Sequence, residues 1–169
     1  MPKSEVNEVT EKTIHKGGIL TKLYFDMQSS NEAELQPLMT DLINNKLMKS
    51  AGVVYCFGSI DETIKLDTVY STSAIVTTLF TDLGALINAV FNFAPAGIEI
   101  LKPENELVIK TNQLQSVMLS LSEISVDYSK YILERVLKKE EYEKVMLDLK
   151  AREELGKKLI GKKEAEEKK

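Results

Sequence analysis

"HKGGILTKLYFDM", residues 15–27, joins the chain's single histidine and a glycine pair to an alternating run, and its reading decides how the fold begins. A phosphate-binding loop places its glycines after a strand and before a helix, so that free N–H groups at the helix start meet the anion. Here the order is reversed. Upstream, "SEVNEVTEKTIHK" (4–16) carries acids early and Thr13, His15 and Lys16 late, with Val6, Val9 and Ile14 at intermittent apolar positions, the pattern of a short helix. Gly17 then falls where a helix takes a left-handed residue, with His15 and Lys16 near the negative end of the dipole. Downstream, Ile19, Thr21, Leu23, Phe25 and Met27 alternate with Leu20, Lys22, Tyr24 and Asp26, the period of a strand with one face on a core. The stretch therefore predicts a helix stop that opens into a strand, with His15 retained as a secondary ligand candidate.

Working outward, "SSNEAELQPLMTDLINNKLMKS" (29–50) places Leu35, Leu38, Met39, Leu42, Ile43 and Leu47 at helical spacing, with Ser30 or Asn31 available as N-cap. Pro37 either bends this helix in its second turn or opens its regular part. "AGVVYCFGSI" (51–60) predicts a second strand, with Val54 and Cys56 under the helices and Val53, Tyr55 and Phe57 on the other face. "DETIKLDT" (61–68) is a connection or a twisted strand extension, and "VYSTSAIVTTLF" (69–80) is a third strand. Thr81 or Asp82 caps an apolar helix, "LGALINAVFNF" (83–93), which Pro95 ends. "GIEILKPENELVI" (97–109) reads as a fourth strand, with "PEN" as a turn or break.

The order is β-α-β-β-α-β, an α+β sandwich of ferredoxin-like type, with a short N-terminal helix and a long C-terminal helical extension. From Thr111 to Leu155 there is no Gly or Pro, and Leu114, Val117, Met118, Leu121, Ile124, Tyr128, Ile132 and Val136 recur every three or four residues. A second stripe of Tyr142, Val145, Met146 and Leu149 follows the charged run "KKEEYEK" (138–144). The expected division is an N-terminal arm over 1–17, an α+β body with a docked helix over 18–137, and a charged helical tail over 138–169, whose last residues fray or pair with another chain.

Five segments resemble parts of small uncharacterised archaeal proteins of ferredoxin-like type: "GGILTKLYFD" (17–26), "GVVYCFGSIDETI" (52–64), "YSTSAIV" (70–76), "GIEILKPENELVI" (97–109) and "YILERVL" (131–137). The resemblance covers residues 17–137. It implies the fold and carries no activity, cofactor or site residue with it.

Charge and composition narrow the functions. Lys and Arg number 22 against 26 Asp and Glu, and the excess of acid lies before residue 138. A nucleic-acid binder concentrates positive charge to displace counterions from phosphates, so that class is disfavoured. No apolar run approaches the roughly 20 residues that span a bilayer, and "MPKSEVNEVTEK" is too charged for a secretory signal, so the expected location is cytoplasmic. One Cys forbids an internal disulfide, and one His forbids a Cys/His zinc cluster. No metal, cofactor or catalytic residue is therefore assigned.

Cys56 in mid-strand reads as a small buried hydrophobe, and the hydroxyls of "YSTS" (70–73) lack a base beside them. The expected function is a non-enzymatic interaction module that self-associates, with a dimer as the first expectation, or binds a protein partner or small ligand. Tyr24, Tyr55, Phe57, Tyr142 and Leu149 are the candidate contact residues. The alternative is an enzyme, or an enzyme subunit, with a polar site where the loop between strands two and three meets the end of HKGG, drawing on His15, Glu62, Ser71 and Ser73.

Overall fold

Helix α1, Lys3–His15, ends on the glycine pair. Gly17 sits at φ +95°, its N–H donates to Ile14 O at 2.9 Å, and the Gly18 N–H reaches back to Thr13 O at 2.9 Å. These two bonds close a Schellman cap, and only glycine takes that backbone without strain. At Gly18 the constraint is space. A Cβ there would lie 2.5 Å from Thr13 Cγ2 and 2.7 Å from Phe80 O. The pair lets the chain reverse tightly from α1 into β1.

The computed structural model describes residues 3–166, with side chains described from 5 to 152. The side chains at the end of the expected fraying tail lie outside the described residues. After α1 come β1 (Ile19–Ser29), α2 (Glu32–Asp41), a π-helical segment (Leu42–Leu47), β2 (Val53–Ile60), β3 (Ile64–Leu66), β4 (Val69–Phe80), α3 (Leu83–Phe93), β5 (Gly97–Lys102), α4 (Thr111–Val136) and α5 (Lys139–Glu166). The chain forms two compact units, 1–117 and 118–169.

The first unit is α+β. Its antiparallel sheet runs β2-β4-β1-β5, and β3 pairs with β4 beyond the end of β2. The odd residues of β1 and the even residues of β4 share one face: Ile19, Leu23 and Phe25 meet Phe80, Val76 and Ala74 across the ladder. On that face they join Cys56, Met39, Ile43 and Leu47, with Ala85, Leu86 and Ala89 of α3, in one buried cluster. Thr21 and Thr78 are directly opposed within it, and Thr21 Oγ1 donates to Thr78 O at 3.3 Å, so the hydroxyl is not left unpaired.

Local signals account for the helices. Asn31 caps α2 by accepting from Ala33 N at 3.2 Å, and its amide donates to Glu34, a variant of the capping box. Pro37 lies inside α2, and the chain passes into a π-helical segment at Leu42 while still burying Leu35, Met39, Ile43 and Leu47. Asp82 caps α3 by accepting from Ala85 N at 2.9 Å, and Ala94 ends it in the left-handed region at φ 42°.

Of the two readings left open for 61–68, the strand extension is observed as a fifth strand, β3, which turns into β4 through Asp67 at φ 39°. Two details differ from the sequence reading. Pairing in β5 stops at Lys102, and 106–110 lies outside any strand with Val108 exposed. Val54 is exposed rather than under the helices, because a register shift between Val53 and Tyr55 breaks the alternation. Val53 falls opposite Phe80 and packs on the core instead.

Two substitutions test these caps by urea denaturation. Gly17→Val lowers stability by about 1 kcal/mol or more, whereas His15→Ala leaves it nearly unchanged. Ala94→Gly raises stability by up to about 1 kcal/mol, because glycine occupies the left-handed C-terminal position without a Cβ clash.

Candidate interaction surface

The strand register defines the second face of the sheet as a grid of four rows. Tyr55, Leu79, Leu20 and Lys102 form the first, and Phe57, Thr77, Lys22 and Glu99 the second. Ser59, Ile75, Tyr24 and Gly97 form the third, and Ser73 beside Asp26 begins the fourth.

Helix α1 covers the first row. Thr10 Oγ1 lies 2.7 Å from Tyr55 Oη, and Lys102 pairs with Glu11. Leu79 is fully buried on this side of the sheet, and Thr10 is buried with it. The glycine cap explains this placement, since a helix that reverses directly into β1 lies back against the strand it precedes.

Beyond α1 the surface opens. Phe57 is 56% exposed and stacks on Tyr55 with ring centroids 5.7 Å apart, while Ile75 is 41% exposed two strand positions from Thr77. Tyr24 is half-buried, and its hydroxyl donates to Glu99 Oε2 at 3.0 Å. Lys22 Nζ lies 3.3 Å from the same oxygen. The Tyr24 hydrogen bond and then Lys22 hold the Glu99 carboxyl below the usual carboxylate range. Sequence reasoning picked out Tyr24, Tyr55 and Phe57. It missed Ile75, for which strand alternation through "SAIVTTL" was the available signal, and it missed the α1 contacts, which depend on the chain reversal.

The far end of the sheet is polar on both faces. Ser73 Oγ donates to Asp61 Oδ2 at 2.5 Å, and Ser71 Oγ donates to Asp26 Oδ1 at 3.0 Å. Thr72 Oγ1 and Gln36 Nε2 both donate to Asp61 O, at 2.8 and 2.6 Å. Gln36 also lines a shallow groove of about 350 Å³ with Glu32, Ala33, Ile60, Glu62 and Thr63. Among the described residues no buried side-chain nitrogen or oxygen lacks a partner, and no group of three or more His, Cys, Asp and Glu is placed to hold a metal.

His15 does not join this end. It precedes Ile19, which pairs with Phe80, whereas Ser73 pairs with Asp26, seven strand positions away. At about 3.3 Å per residue the separation along β1 exceeds roughly 20 Å. Glu62, Ser71 and Ser73 are thus gathered near the β2–β3 connection, and the imidazole lies at the opposite end of the sheet. Cys56 is buried, and burial pushes its thiol up from the ordinary value.

The second unit carries the other contact candidates. Tyr142 lies between two surface grooves of about 390 and 330 Å³, the first lined also by Glu134, Leu137 and Lys139 and the second by Met146, Leu147 and Lys150. Leu149 is half-buried on the same helix. Along α4, Met118, Leu119, Leu121, Tyr131 and Ile132 are exposed.

An antiparallel sheet with one face under helices and the other partly roofed by an N-terminal helix defines an α+β protein. Residues 20–156 match the MJ0538 family, and the chain belongs to it, a family of uncharacterised archaeal proteins. No curated protein and no solved structure matches the chain. No helix among the described residues is long and apolar enough to cross a membrane.

The Tyr24–Glu99 contact gives a direct test. Tyr24→Phe moves the Glu99 titration upward toward the ordinary carboxylate range when followed by NMR, because the largest single cause of its depression is lost. An unchanged midpoint refutes the contact. The sign for stability follows: a depressed carboxyl stabilises the fold above its unfolded value and loses that contribution as pH falls through the folded value.

Proposed function

We propose that the chain is a non-enzymatic interaction module, working in the cytoplasm, that self-associates as a homodimer. In this reading an N-terminal arm over 1–17 and a charged tail over 138–169 flank a body over 18–137. The body is of ferredoxin-like type: the order β1, α2, β2, β4, α3, β5 and the antiparallel neighbours β2-β4-β1-β5 support that assignment.

The observation that carries the functional reading is the exposed apolar surface of α4. Its apolar side chains recur every three or four residues through a 26-residue helix, yet Met118 is 53% exposed, Leu119 and Tyr131 are more than half exposed, and only Val117 is buried among α4's described residues. A helix with such a stripe obtains most of its stability from packing that stripe against another surface. Exposed apolar area of this extent marks a contact. The sheet supplies a smaller second patch at Phe57 and Ile75.

The polar end of the sheet supports this reading rather than catalysis. Its hydroxyls and carboxylates are engaged with one another, and acid-base chemistry needs a proton-transfer group within hydrogen-bond reach of its substrate.

Sedimentation equilibrium of the full chain provides the test. The wild type is expected to sediment as a dimer. Leu149→Asp weakens dimerisation by about 2 kcal/mol or more, roughly 30-fold, if the helical stripe is the contact, and Phe57→Asp does so if the sheet patch is. Phe57, 56% exposed, is accessible enough for the fold to survive its substitution. A wild type that stays monomeric at high micromolar concentration overturns the proposal.

A further inference from the structure

We draw no further inference here: the strongest candidate, the exposed apolar pair Ile64 and Leu66 on the β3–β4 hairpin beside the groove at Gln36, carries nothing because nothing in the structure shows what covers it.

Discussion

Eleven consecutive residues of β1, Ile19 to Ser29, face Phe80 to Tyr70 of β4 without a slip, and the placement of every other surface follows from that register. Side chains alternate between faces, so slipping β1 by one residue would carry Leu23 and Phe25 away from the helices and expose them. The same shift would bring Lys22, Tyr24 and Asp26 into the core. With the pairing fixed, Thr21 and Thr78 oppose each other in the buried layer and share a hydrogen bond, which makes this polar row compatible with burial. Cys56, facing Thr78 from β2, accepts a weak hydrogen bond from its hydroxyl at 3.7 Å.

Much of this arrangement was legible in the sequence because it depends on local chemistry. The glycine pair, the asparagine and aspartate caps and the alternation in "GILTKLYFDM" each act within a few residues, and each specifies one conformation there. What was not legible depends on tertiary pairing. The register shift between Val53 and Tyr55 exchanges the environments of Val53 and Val54, and nothing in "AGVVYC" announces it. The π-helical segment at 42–47 arises where a helix containing Pro37 must keep Ile43 and Leu47 buried, so it reflects packing rather than propensity. The roof over Tyr55 and Leu79 follows from the reversal at Gly17, whose consequence for a strand some forty residues away lies beyond any local pattern.

The candidate site divides along the same line. Aromatic residues on the open face could be read from alternation, and Phe57 is exposed there. Tyr55 could be placed on that face but not its hydroxyl contact with Thr10. Glu62, Ser71 and Ser73 could be picked out as polar. Only the register separates them from His15, because sequence distance gives no measure of which end of a strand a loop occupies.

The edges of the sheet are interrupted and partly charged. An open strand edge is a template for another chain unless something disrupts it. Here β2 carries a register shift at Val53/Tyr55, and the pairing of β5 with β1 shifts between Leu20 and Thr21. β5 is six residues long, presents Glu99 and Lys102, and runs into Pro103, which has no N–H to offer a further strand. A kinked, charged edge favours neither continuous pairing nor fibre growth. Exposed apolar side chains lie at Phe57 and Ile75 on the open face, at Ile98 and Ile100 on β5, at Ile64 and Leu66 on β3, and along the helical stripe of α4. Of these, the stripe of α4 is the longest, with apolar side chains recurring every three or four residues along one helix.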